Sequence, residues 1–91
     1  MLTARETVDK MTRFQVESVL AYAYVGYSVS AAAKLMHISY YSLNNDLIFV
    51  KEKTGLDPKN EADCNTLLAM IEEVRKEEMN GSRLSIETFF G

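Results

Sequence analysis

The stretch from Ser28 to Gly55, SVSAAAKLMHISYYSLNNDLIFVKEKTG, constrains this chain more than any other. It reads as two helices joined by a tight turn. Ser30 is a candidate N-cap for the first, and the Ala31-Ala32-Ala33 run lets another helix approach closely. Leu35 and Met36 close that helix on an apolar side. His37-Ile38-Ser39 makes a short connection in which Ile38 can point inward. Ser39 can then cap a second helix by accepting from the orphan backbone donors of its first turn. From Tyr40 the apolar spacing Leu43, Leu47, Val50, with Ile48 beside it, is that of a helix with one inward face. Gly55 ends the helix, because glycine adopts positive φ without steric cost.

Two short helices, a turn of three to four residues and small residues at the crossing outline a helix-turn-helix. In that motif the second helix enters the DNA major groove. Here it spans about 40–53. Tyr40, Tyr41, Ser42, Asn44 and Asn45 occupy its N-terminal half. Asn can bond an adenine edge in two places, and Tyr and Ser can reach phosphates. Lys34 and Lys51 are the candidate phosphate contacts.

The segment resembles the C-terminal helix-turn-helix of the PucR/CdaR group of bacterial transcription regulators. That group carries a pattern close to AA-x-x-L-x-(I/V)-H-R-N-T-L-x-Y-R-L, followed by a helix ending in T-G-L-D. The matching residues are Ala32, Ala33, Met36, Ile38, Ser42, Leu43, Leu47, Thr54, Gly55, Leu56 and Asp57, without gaps. The match continues into Asp63 and Leu67-Leu68-Ala69, so it covers roughly Val19 to Ile71. Where the group has H-R-N, this chain has Ser39-Tyr40-Tyr41; where the group has Arg-x-Arg, it has Asn44 and Asp46. The resemblance implies an all-α fold with a tri-helical helix-turn-helix core, and double-stranded DNA as partner.

The flanking chain supplies the rest of that architecture. Thr3 with Glu6, and Thr12 with Gln15, have capping-box spacing. The first pair predicts a short helix or arm before Lys10, with Leu2, Val8 and Met11 as its apolar residues. The second predicts a stronger helix from Arg13 to about Val25, with Phe14, Val16, Val19, Leu20, Ala23 and Tyr24 inward and Gly26 at its end. Several tyrosines of the Tyr22, Tyr24, Tyr27, Tyr40, Tyr41 set are expected half-buried. Tyr40 and Tyr41 cannot both face a core, since neighbours on a helix lie about 100° apart. Gly55-Leu56-Asp57-Pro58 predicts a turn. A further helix follows from about Glu61 to Glu78, capped by Asn60 or Asp57, with Ala62, Leu67, Leu68, Met70, Ile71 and Val74 apolar. Asn80-Gly81-Ser82 predicts a turn or linker. It separates a domain at 1–79, with its motif at 28–55, from a tail at 80–91. In that tail the alternation of Leu84 and Ile86 permits a short strand, and Leu84, Ile86, Phe89 and Phe90 are the candidate dimer interface.

Composition narrows the function. Ninety-one residues with 47% apolar and 25% charged side chains make one small globular domain. No apolar run reaches membrane-span length, and Arg5, Glu6, Asp9 and Lys10 interrupt the N-terminus against a signal peptide. Cys64 is the sole cysteine and His37 the sole histidine. That pair offers no disulfide, no zinc site and no cofactor site, fits a cytoplasmic location, and leaves His37 as a turn residue. No catalytic constellation is visible, so an enzyme is not expected. The net charge is −3, with the acids concentrated after residue 55. The segment 28–55 sets Lys34, Lys51 and Lys53 against Asp46 and Glu52.

Two functions follow as expectations. The first is a small, sequence-specific transcriptional regulator that binds duplex DNA as a homodimer; its start at Met1 favours a stand-alone protein of a phage or mobile element. The second is a protein-interaction module on the same frame, binding polymerase, a repressor or a host enzyme, with the acidic C-terminal surface as one route to a partner.

Overall fold

A computed structural model describes the backbone of residues 2–90 and the side chains of 2–78. Among the described residues the chain is all-α, with five helices and no strand: α1 (Ala4–Asp9), α2 (Arg13–Tyr24), α3 (Val29–Met36), α4 (Tyr40–Thr54) and α5 (Glu61–Phe90). Helix α2 is the hub. It packs on α3, α4 and α5, while α3 packs on α4 and α1 on α5.

Four of the helix starts are fixed by hydroxyl caps and the fifth by an amide. Thr3 and Thr12 form complete capping boxes with Glu6 and Gln15, as the spacing predicts. Ser39 Oγ accepts from the Ser42 N–H at 3.1 Å. The cap of α3 is Ser28, not Ser30: Ser28 Oγ accepts from the Ala31 N–H at 3.2 Å. Helix α3 therefore starts earlier, and Ser30 lies exposed inside it. Asn60 caps α5, its Oδ1 accepting from the Asp63 N–H at 3.0 Å.

The helix ends share one device. After α2, the Tyr27 N–H donates to the Tyr22 carbonyl and the Gly26 N–H to the Ala23 carbonyl. After α3, the Ile38 N–H donates to the Ala33 carbonyl and the His37 N–H to the Lys34 carbonyl. Both are Schellman ends, which need a left-handed residue and favour an apolar contact back to the last turn. Gly26 (φ 77°) and His37 (φ 57°) supply the left-handed residue. Ile38 supplies one apolar contact by packing on the core. Tyr27 supplies the other: its ring meets that of Tyr22 edge-on, centroids 5.6 Å apart. Tyr27 itself holds φ 67°.

The core joins Leu43, Leu47 and Val50 of α4, Ala32 and Ala33 of α3, Val19, Ala21 and Tyr22 of α2, and Cys64, Leu67 and Ile71 of α5, with Met11 beneath. The α4 spine and the alanine crossing are where the spacing puts them. Helix α2 is rotated from its expected face. Phe14 and Tyr24 are exposed, at 71% and 83%, while Gln15, Ser18 and Tyr22 are buried. The physical reason is polar pairing across helices. Ser18 donates to Asp46 Oδ2 of α4 at 2.7 Å. Gln15 Oε1 accepts from the Thr12 N–H and from Lys53 Nζ. Two buried polar side chains with partners in α4 fix the inward face, because a buried polar group without one costs about 1–3 kcal/mol.

Other expectations are also revised. Leu35 and Ile48 are exposed rather than inward, as is Ala62. Cys64 and Pro58, not singled out by periodicity, are buried. Tyr22 alone of the tyrosines is buried; Tyr24, Tyr27, Tyr40 and Tyr41 are exposed rather than half-buried. The backbone stays helical through Asn80-Gly81-Ser82 and on to Phe90, so there is neither a turn at that point nor a strand at Leu84 and Ile86. The side chains of Leu84, Ile86, Phe89 and Phe90 lie outside the described residues. No helix among the described residues is long and apolar enough to cross a membrane.

Candidate nucleic-acid interface

Helix α4 has two edges tied to the body and one face left open. Its inner spine is Leu43, Leu47 and Val50. One edge, Asp46 and Lys53, is bonded to Ser18 and Gln15 of α2. The other, Asn44 and Lys51, meets the turn that follows the helix: Lys59 Nζ donates to Asn44 Oδ1 at 2.6 Å, and Lys51 Nζ lies 3.7 Å from Asp57 Oδ2. The open stripe is Tyr41, Asn45, Ile48 and Glu52, which recur at helical spacing opposite the spine. All four are exposed, with Tyr41 at 78%.

The turn that carries Lys59 is built by the Thr54-Gly55-Leu56-Asp57 segment. Gly55 takes φ 79° and closes α4 through a bond from its N–H to the Lys51 carbonyl. Thr54 Oγ1 donates to the Val50 carbonyl and accepts from the Leu56 N–H. Asp57 Oδ1 accepts from the Lys59 N–H, and Asp63 Oδ2 accepts from the Asp57 N–H. Each residue of that segment thus has a stated bond or dihedral to supply. Together they hold Lys59 over the N-terminal half of α4.

The sequence-predicted residues divide accordingly. Tyr40, Tyr41, Ser42 and Asn45 are exposed at the start of α4. The Tyr40 and Tyr41 rings meet edge-on, centroids 6.3 Å apart. Ser42 Oγ accepts from the Ser39 hydroxyl at 3.0 Å, so its hydrogen remains available. Asn44 is half-buried at the Lys59 edge rather than free. Lys34 is exposed in the last turn of α3, and Lys51 is engaged by Asp57. Sequence reasoning missed Lys59, which lies fifteen residues from Asn44. It also missed the inward turn of Asp46. That acid stands where the PucR/CdaR pattern has an arginine, yet its carboxylate is occupied by Ser18. Across the exposed surface of α4, Glu52 is the acid that remains outward without a described partner.

The acidic surface of α5 is partly neutralised. Glu77 pairs with Arg5 at 3.2 Å and Glu72 with Lys76 at 3.5 Å. A cleft lined by Leu2, Thr7, Thr54, Leu56, Thr66 and Met70 lies on the α1 side. Its three threonine hydroxyls all donate to carbonyls four residues back, at 2.6–3.0 Å. Its wall is therefore largely apolar, with no convergent polar group to orient a ligand. Among the described residues no cluster of three or more His, Cys, Asp or Glu side chains could hold a metal ion.

Burial shifts two titrating groups. Desolvation raises the Tyr22 phenol above its ordinary 10.0, with Cys64, Asp57 and Tyr27 adding to the effect. Desolvation likewise raises the Cys64 thiol above 9.0. A buried thiol held neutral is a poor nucleophile and metal ligand. Comparison of the chain with protein-family models, with curated proteins and with solved structures yields no match.

Proposed function

We propose that this protein is a sequence-specific DNA-binding regulator in which α3 and α4 act as a helix-turn-helix and α4 enters the major groove. One observation carries the reading: the first two turns of α4 present Tyr40, Tyr41, Ser42 and Asn45 outward, while the acid of that region, Asp46, is turned into α2. The exposed group is uncharged and rich in hydrogen-bonding capacity, which suits base edges and phosphate oxygens. Lys59, bonded to Asn44 at its margin, and Lys34, exposed in the last turn of α3, are the phosphate contacts. The resemblance of Ala32 to Asp57 to the PucR/CdaR pattern supports the same role. A homodimer fits this reading, because a single module of this size gains affinity and half-site geometry from a second copy.

A second reading has its own support. Ile48 and Phe49 of α4 and Leu35 of α3 are exposed, and apolar exposure of that kind also suits a protein partner. Selection of bound duplexes from a random library at low salt separates the two. The DNA reading expects an enriched motif that is lost in Tyr41→Ala and Asn45→Ala. No enrichment by the wild-type protein contradicts it and leaves the protein-interaction reading standing.

A further inference from the structure

We infer that the open face of α4 reads A·T base pairs, and does so largely through the C5-methyl groups of thymine. This rests on the DNA-binding reading and specifies its target. The stripe runs from Tyr41 through Asn45 and Ile48 to Glu52. Ile48, with Phe49 beside the stripe, 42% and 47% exposed, stands one turn beyond Asn45. Apolar side chains in the major groove discriminate bases by meeting the thymine methyl, which G·C pairs do not offer. Asn45 is exposed between Tyr41 and Ile48, and a free amide matches the N6 and N7 edge of adenine bidentately. The polar and apolar elements of the stripe thus select the same base pair from its two sides.

Asn44 and Asn45 are not equivalent. An ammonium group only donates, so the Asn44 oxygen faces Lys59 Nζ at 2.6 Å, and the side chain is half-buried at that edge. Asn45 is exposed on the open stripe, and it is the amide assigned to adenine.

Charge points the same way. Lys59 borders the stripe and Lys34 is exposed in the last turn of α3, Asp46 and Asp57 are engaged within the protein by Ser18 and Lys51, and Glu52 remains as an acid on the stripe itself. The phosphate contacts this allows are few, so sequence readout must carry an unusual share of the affinity. With about two phosphates neutralised per protomer, the slope of log K against log salt is about −2 for each protomer bound.

The test uses a duplex enriched by selection and its analogue with 2′-deoxyuridine in place of thymidine. The analogue keeps every hydrogen-bonding group of the base pair and removes only the methyl. The inference expects an A·T-rich motif, and an affinity loss of about fourfold for each methyl contacted. In Ile48→Ala/Phe49→Ala the thymidine-to-uridine affinity ratio should fall toward one, whatever the variant's overall affinity, whereas a ratio equal to that of wild type would overturn the assignment of the methyl contact to these two side chains. Equal affinity of wild type for both duplexes overturns the inference and leaves DNA binding intact. A G·C-rich motif overturns it as well. Failure to retain any duplex removes the DNA reading itself, and this inference with it.

Discussion

Two tyrosine pairs in this protein have the same ring geometry and opposite roles. Tyr22 and Tyr27 meet edge-on at 5.6 Å, and Tyr40 and Tyr41 at 6.3 Å. The first pair closes a helix. Tyr22, 5% exposed, sits in the core, and the Tyr27 ring folds back on it to supply the apolar contact of a Schellman end. The second pair opens a helix: both rings are exposed at the first turn of α4, where they touch each other and leave their outer faces free. Ring contact alone does not define a role; what lies behind the ring does. One pair is part of how α2 stops, and the other is surface that the fold does not consume.

That contrast is sharpest under mutation. Tyr22→Ala should destabilise the fold by about 3–5 kcal/mol, as large-to-small changes of buried aromatics do, visible as a lower urea midpoint. Tyr41→Ala should move the same midpoint by no more than about 0.5 kcal/mol while abolishing retention of a selected duplex. Similar losses of stability from both variants would erase the distinction.

The polar tie between α2 and α4 comes next in size. Ser18→Ala removes the donor to Asp46 and leaves a half-buried carboxylate unpaired, at a cost of about 1.5–3 kcal/mol. Ser18→Ala/Asp46→Asn should recover part of that loss, because the charge is gone. An unchanged midpoint in the single variant would show the bond to be incidental.

The two Schellman ends differ in the residue that carries the left-handed turn. Gly26→Ala should cost about 1–2 kcal/mol. The cost comes from φ 77° alone, since a Cβ there meets nothing within 4 Å. His37→Gly should gain about 1 kcal/mol, because histidine already pays a steric penalty at φ 57°. Thermal melts of both variants measure the pair.

The smallest effect is alkaline. Tyr22 and Cys64 both have folded values raised by burial. The unfolded chain therefore loses its protons first as pH rises. The stability these groups contribute is complete below about pH 9, the ordinary thiol value, and is lost as pH climbs through their raised folded values. Urea midpoints should be flat in this respect from pH 6 to 8 and fall above 9, with the fall reduced in Cys64→Ala.

Much of the fold was legible in the chain because its signals are local. Capping boxes lie three residues apart, glycine marks a left-handed end, and the Leu43, Leu47, Val50 spine declares its own face. Helix α2 was not legible in the same way. Phe14 and Tyr24 look like core residues and Gln15 and Ser18 like surface, until Lys53 and Asp46 arrive from α4 to satisfy them. Those partners lie 38 and 28 residues away, beyond any periodicity. Ser28 displaced Ser30 as a cap because the left-handed pair Gly26-Tyr27 ends early enough for the chain to turn at Ser28. The same limit applied to the interface. The exposure of Tyr41 follows from the 100° step of a helix, whereas the Lys59 clamp on Asn44 depends on how the turn through Gly55 and Asp57 folds back.

In the proposed function, α4 divides into an inner face that builds the fold and an outer face that binds DNA. Titration of the ¹⁵N-labelled protein with a selected duplex, followed by amide chemical shifts, tests that division. The largest shifts are expected at residues 39–49, with Lys34 and Lys59, and little change across Ile71 to Glu78. Shifts concentrated on the Glu72–Glu78 surface, or no shifts at any duplex concentration, would contradict it.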